Sequence, residues 1–192
     1  MKKEDIKEWA LLLLTAVAIV LVIRMTILDN RIVPSGSMMP TIRPGDRLFV
    51  EKVTHHFGGV HPGDIVVFDP PEAANFEDDL IKRLIAVAGD SVEVKNGTLY
   101  VNDHPVDEPY VEDPMNYEMA KQTVPDGKIF VLGDNRNSSL DSHRWGFADL
   151  DSVQGKAMLI YWPLNRLHFI WGQGLRIEEE EIPFIGAQTL GE

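Results

Sequence analysis

Cysteine is absent from all 192 residues. The chain therefore builds no disulfide, carries no thiolate nucleophile and offers no thiolate to a metal, and this is compatible with either side of a membrane. Basic residues are also scarce: 18 Lys and Arg stand against 30 Asp and Glu, a formal net charge of -12. A broad nucleic-acid-binding face is thereby excluded, because phosphate contacts require a basic surface. Internal repeats are lacking. Of the six histidines, His55, His56 and His61 sit in a Gly- and Pro-punctuated loop without ligand spacing, and no metal site is expected. The 44% hydrophobic content is enough for one sizeable core, and one main domain is expected.

One long apolar run is present. Residues 1–8 form a charged leader, and Trp9 to Ile23 is apolar apart from Thr15. Arg24 interrupts the run and Met25 to Leu28 extend it to about 20 residues, which at about 1.5 Å per residue matches a hydrocarbon core of about 30 Å. A cleaved signal peptide or a buried core helix would also contain such a stretch. No Ala-x-Ala type site follows it, so an uncleaved transmembrane helix over residues 9–28 is expected. Lys2, Lys3 and Lys7 precede the run and Arg24 and Arg31 flank its far side. That slight bias predicts a single-pass protein of the cell membrane with a cytoplasmic N-terminus and the remaining chain on the extracytoplasmic side.

Beyond Thr41 the helical period disappears. Asp46–Val53, Asp64–Phe68, Leu80–Ala88, Ser91–Lys95, Thr98–Asn102, Lys128–Leu132 and Gly155–Trp162 are rich in β-formers and bounded by turn residues. A mostly β, antiparallel main domain over 29–89 and 126–175 is expected. Asn96-Gly97 between two alternating runs is a type I′ hairpin signal, since both positions need positive φ. The polar stretch over 90–125 reads as a smaller inserted β-hairpin subdomain. Pro44-Gly45-Asp46 and Pro62-Gly63-Asp64 each introduce a strand and read as turn chemistry. The aromatics between Tyr161 and Trp171 suit either core packing or a patch at headgroup level. Residues 176–192 read as a solvated acidic tail.

The chemistry centres on Pro34-Ser35-Gly36-Ser37-Met38-Met39-Pro40-Thr41, a small-residue turn shortly after the apolar run. A serine becomes a nucleophile only when a base removes its proton. The candidate base for Ser37 is Lys82, flanked by apolar residues in a strand-like run, where burial would lower its pKa. A Ser/Lys dyad needs no histidine. The block Gly133 to Ser142 is the most turn-prone in the chain. It reads either as a surface loop or as the source of a hydroxyl that orients the lysine.

Ser35 to Thr41, Gly63 to Phe68, Lys82-Arg83 followed by Gly89-Asp90, and Gly133-Asp134-Asn135-Arg136 through Asp141-Ser142 occur in one order. That order resembles the bacterial type I signal peptidases, short single-anchor form, over residues 9 to about 163. The resemblance implies a mostly β catalytic domain carrying a smaller β subdomain between the lysine and the Gly133 block. It implies a membrane-bound serine endopeptidase that removes signal peptides from exported preproteins after Ala-x-Ala type sites through an acyl-enzyme. It further implies Ser37 as nucleophile, Lys82 as general base, the Ser37 amide and Ser35 hydroxyl as oxyanion hole, Ser139 and Asp141 as support of the lysine, and Ile81 as a wall of the substrate pockets. No cofactor is implied. The expected partners are preprotein signal peptides and the lipid bilayer, with the protein export machinery as a further candidate. One departure stands out: the family usually continues Asp-Ser-Arg, whereas here Asp141-Ser142 is followed by His143 and Arg144. Arg144, Arg136 or His143 is then left to pair with Asp141. A specialised Ser/Lys processor and an inactive, membrane-tethered binding module are the competing readings.

Overall fold

The computed structural model describes residues 3–53, 59–171 and 175–177. The chain opens with α1 (Lys3–Thr26), after which come β1 (Leu28–Ile32), β2 (Arg47–Glu51), β3 (Ile65–Phe68) and β4 (Leu80–Val87). There follow β5 (Ser91–Lys95), β6 (Thr98–Val101), β7 (His104–Asp107), β8 (Met119–Thr123) and β9 (Lys128–Leu132). The one-turn helix α2 (Ser142–Trp145), β10 (Ala148–Asp149), β11 (Val153–Trp162), β12 (His168–Phe169) and β13 (Arg176–Ile177) complete the described chain.

The strands form two antiparallel sheets. The larger has eight strands in the order β1-β2-β11-β3-β4-β9-β10, with β12 on β11, and the smaller runs β13-β7-β6-β5-β8. The fold is thus mostly β and antiparallel, as the spacing of the apolar runs predicts. β9 reads Lys-Ile-Phe-Val-Leu without polar alternation because both of its faces are buried. Ile129 and Val131 pack with Val66, Phe68 and Leu84, whereas Phe130 and Leu132 face Ile85, Val92, Val94 and Leu99 beneath the smaller sheet. A third cluster of Val33, Met38, Ile42, Leu48, Ile65 and Ile160 lies beneath the Ser37 turn.

Turn chemistry sets the strand junctions. Asn96 and Gly97 take φ of 51° and 79° between β5 and β6, and Asn102 and Asp103, at 53° and 69°, make a second such turn into β7. Gly45 and Gly63 take φ of 89° and 99° in the two Pro-Gly-Asp turns. The aspartates of those turns are also bonded: buried Asp46 accepts from Nε and a terminal guanidinium nitrogen of Arg166, and Asp64 accepts the His61 amide.

Several expectations need correction. The apolar run does not continue as helix to Leu28: α1 ends at Thr26 and Leu28 starts β1, which pairs with β2 across Leu28↔Glu51 to Ile32↔Arg47. Among the described residues no helix is long and apolar enough to cross a membrane. Trp9, Leu11 to Leu14, Val17, Ile19 and Val20 nonetheless stand exposed along α1. The aromatic segment near the C-terminus is only partly core: Ile170 is buried, while Trp162, Phe169 and Trp171 are exposed. His55, His56, residues 1–2 and the tail beyond Ile177 lie outside the described residues.

Candidate active site

The Ser37 turn is held from below and from the side. Met38 and Ile42 are buried in the core, and the Ile42 amide donates to the Met38 carbonyl at 2.9 Å. From the side, the Asn135 amide donates to the Ser37 carbonyl at 3.0 Å and Asn135 Nδ2 to the Gly36 carbonyl at 3.1 Å. Thr41 Oγ1 donates to Asp134 Oδ2 at 2.5 Å, and Arg166 donates to the Thr41 carbonyl at 3.0 Å. A turn of small residues, flexible by composition, is thereby fixed in place.

β4 brings Lys82 to this turn. Its Nζ lies 2.7 Å from Ser37 Oγ, while Lys82 as a whole is 4% exposed. Burial pushes the lysine down from 10.5 to about 8, against the opposing pull of the Asp141 and Asp134 carboxylates. A neutral amine is therefore accessible near neutral pH, within hydrogen-bond distance of the Ser37 hydroxyl. Ser35 Oγ sits 3.4 Å from Ser37 Oγ, on the open side of the turn. Ile81 lines the groove beside the dyad together with Val33, Pro34 and Met38.

The Gly133 block supports this pair closely. A Cβ on Gly133 would collide with Ser139 Oγ and with the Ser37 carbonyl, so only glycine permits the approach of the two loops. Asp141, fully buried, accepts the Gly133 amide through Oδ2 at 2.9 Å and caps α2 by accepting the His143 amide. Its other partner is His143, with Nδ1 2.6 Å from Oδ1. Of the three candidates for Asp141, the structure selects His143, because Arg136 is occupied by Glu108 at 2.6 and 2.7 Å. Ser139 is buried, but its Oγ has no hydrogen-bond partner among the described residues, since Lys82 Nζ is turned to Ser37.

Sequence reasoning missed a buried network behind the lysine. Arg83, fully buried, forks onto Asp134 through Nε at 2.8 Å and a terminal nitrogen at 2.7 Å, and donates to the Gly63 carbonyl at 3.0 Å. Its guanidinium carbon lies 3.7 Å from the centroid of the Tyr110 ring, whose hydroxyl donates to Glu108 at 3.0 Å. The signal available was the position of Arg83 beside Lys82 inside a strand whose other residues are apolar, where an arginine needs a buried carboxylate.

The family model described as signal peptidase, peptidase S26, matches residues 6–162. A probable signal peptidase I-1 of Synechocystis sp. is 44% identical over 173 residues, covering 88% of this chain and 86% of its own. A thylakoidal processing peptidase 1 of Arabidopsis thaliana is 40% identical over 161 residues, or 80% of this chain and 47% of its own. Signal peptidase IB of Staphylococcus aureus is 38% identical over 181 residues, 85% of this chain and 93% of its own. With a family match over most of its length and relatives of this identity, the chain belongs to the signal peptidase family, peptidase S26.

Proposed function

We propose that this chain is a membrane-anchored serine endopeptidase that removes N-terminal signal peptides from exported preproteins, cutting after Ala-x-Ala type sites. The observation that carries this reading is the 2.7 Å approach of a buried Lys82 to Ser37 Oγ. Neutral Lys82 takes the Ser37 proton as Oγ attacks the scissile carbonyl; the Ser37 amide and the Ser35 hydroxyl receive the oxyanion, and an acyl-enzyme forms. Lys82 then protonates the leaving amine and activates the water that releases the acyl group. The Ser139 hydroxyl, without a partner among the described residues, accepts from the ammonium while it exists, and the Asp141 charge steadies it.

Backbone pairing supports an extended substrate. β4 pairs with β3 through Leu80–Arg83 but with β9 only from Arg83 onward, and β1 is the end strand of its sheet. The groove bordered by Ile32 to Ser35 and Leu80 to Lys82 thus offers unpaired edges to a peptide strand. Ile81, Val33 and Met38 narrow it, which favours small side chains.

The anchor is α1. Its 24 residues run about 36 Å at about 1.5 Å per residue, with charged residues at its start and the apolar sequence from Trp9 to Ile23 beyond them. Apolar side chains exposed over consecutive positions 11–14 leave no polar face there, as a lipid-surrounded helix requires. Lys2, Lys3 and Lys7 keep the N-terminus cytoplasmic, placing the catalytic sheets, with the smaller sheet as an inserted subdomain, on the extracytoplasmic side. The test is mass spectrometry of the full chain in detergent with an Ala-x-Ala precursor, beside Ser37→Ala. Cleavage after the second Ala that the variant loses is expected. Equal cleavage by Ser37→Ala, or none by the native chain, would overturn the reading.

A further inference from the structure

Two hollows meet at Ser37 and Lys82. The first is the groove described above. The second, of 410 Å³, shares Ser35, Ser37, Phe76, Leu80 and Lys82 with it and continues past them to Asn135, Ser138 and Leu140. Phe76 and Leu140 are 41% and 57% exposed, so two large apolar side chains flank this hollow while still open to solvent. Nothing in the hydrolytic scheme uses either of them.

Neither side chain is exposed through a loose backbone. Leu140 lies between Ser139 and Asp141, which are 6% and 0% exposed, and Asp141 is bonded to the Gly133 amide and to His143. With both neighbours held inward, Leu140 is directed out over the hollow. Phe76 follows Asn75, whose left-handed φ of 54° ends the short turn Glu72–Ala74. Asn135 between them is bonded to the carbonyls of both Gly36 and Ser37, so the base of the hollow is braced.

A polypeptide cut at Ser37 must extend to both sides of the nucleophile. If its acyl half fills the first groove, the chain beyond the scissile bond advances about 3.3 Å per residue into the hollow that also contains Ser37. We propose that the hollow between Phe76 and Leu140 is the leaving-side subsite, which receives the first one or two residues after the cut and selects apolar side chains there. This rests on the peptidase reading. Apart from Lys82, none of the residues lining this hollow is charged, so apolar burial against Phe76 and Leu140 is the selective interaction available to it.

The logic of an acyl-enzyme supplies a sharp test. Peptides with the same Ala-x-Ala half form the same acyl-enzyme, so their deacylation rates are identical whatever follows the cut. A leaving-side preference must therefore appear in kcat/KM and in the acylation burst, and not in deacylation. The experiment uses the full chain in detergent with peptides identical up to the cut and carrying Leu, Phe, Ser, Lys or Glu at the first and second positions after it. We expect about tenfold higher kcat/KM for Leu and Phe than for Ser in the native chain. Phe76→Ser and Leu140→Ser should each flatten that ratio, and Leu140→Ser, whose side chain lines the second hollow and not the first, should leave discrimination within the Ala-x-Ala half unchanged. Leu140→Lys should raise the Glu peptide relative to the Lys peptide by a similar factor. Ratios unchanged in all three variants, with every peptide still cut after Ala-x-Ala, would overturn the subsite and leave the peptidase reading intact. Absence of cleavage of every peptide would overturn both.

Discussion

His143 Nδ1 lies 2.6 Å from Asp141 Oδ1, and the imidazole stacks on Tyr117 at 4.2 Å between centroids with 13° between the planes. One buried carboxylate thus joins the Gly133 loop, the start of α2 and an aromatic from the segment leading into β8. Its charge also acts on Lys82. A histidine here does the work of holding Asp141 that the family usually gives to an arginine.

Removing the donor while keeping the stack separates these contributions. His143→Phe preserves a ring against Tyr117 but leaves Asp141 short of a charge-assisted hydrogen bond, at a cost of about 2 kcal/mol. His143→Arg restores a donor. Urea denaturation should rank the native chain above His143→Phe with His143→Arg recovering part of the loss, and precursor turnover should follow the same order. Equal midpoints and turnover for native chain and His143→Phe would show that Asp141 does not need this partner.

Lys82 makes activity and stability both rise with pH, over adjacent windows. In the proposed mechanism the base is the neutral amine, so kcat/KM should rise through a midpoint at about 8. A flat profile between pH 6 and 9 would remove Lys82 as base. For stability, a lysine depressed from 10.5 to about 8 on folding binds fewer protons in the folded state across that window. Its burial is therefore unfavourable below pH 8, and the penalty fades as pH rises to 10.5. Lys82→Met should be more stable than the native chain by up to about 3 kcal/mol at pH 7, the gap closing toward pH 10.5 in denaturant titrations.

Local signals were legible and distant pairings were not. Asn96-Gly97 names its own turn, because both residues tolerate positive φ. Asn102-Asp103 makes a similar turn without a glycine to mark it, so β7 was not anticipated, and β8, Met-Ala-Lys-Gln-Thr, lacks the β-branched content that signals a strand. β1 was hidden because Leu28 continues the apolar composition of α1 while its backbone pairs with Glu51. The dyad was readable because a serine among small residues and a lysine among apolar ones are each unusual. Arg83 and Asp134, 51 residues apart, show their pairing only once β4 and β9 are side by side. Phe76 and Leu140 carry no motif at all: their place beside the dyad depends on two loops meeting.

The Arg83–Asp134 pair predicts two effects from one substitution. Asp134→Asn leaves a fully buried guanidinium without its counter-ion, at a cost of about 3–5 kcal/mol. It also removes one of the two carboxylates that raise Lys82. The surviving folded enzyme should therefore reach half-maximal kcat/KM below pH 8, while unfolding at lower urea. A loss of stability with an unmoved pH midpoint would mean that Asp134 acts on the fold alone. Tyr110→Leu, which strips the ring 3.7 Å from Arg83 but keeps Asp134 charged, should cost about 1–2 kcal/mol and leave the midpoint near 8.

Gly133 makes the last prediction, because its approach to Ser37 is backbone against backbone. A methyl there meets Ser139 Oγ and the Ser37 carbonyl. The hydroxyl can rotate, but the carbonyl already accepts the Asn135 amide at 3.0 Å and can retreat only by moving the turn. Displacing Ser37 Oγ from its 2.7 Å contact with Lys82 by even about 1 Å costs roughly 100-fold in turnover. Gly133→Ala should therefore lose about that factor in kcat while binding precursor with little change in KM, since Gly133 does not line the groove walled by Val33 and Ile81. An acylation burst measured by mass spectrometry separates this from simple unfolding: a folded variant with a slowed burst fits a displaced nucleophile. Native burst kinetics in Gly133→Ala would mean that the two loops do not need so close a contact.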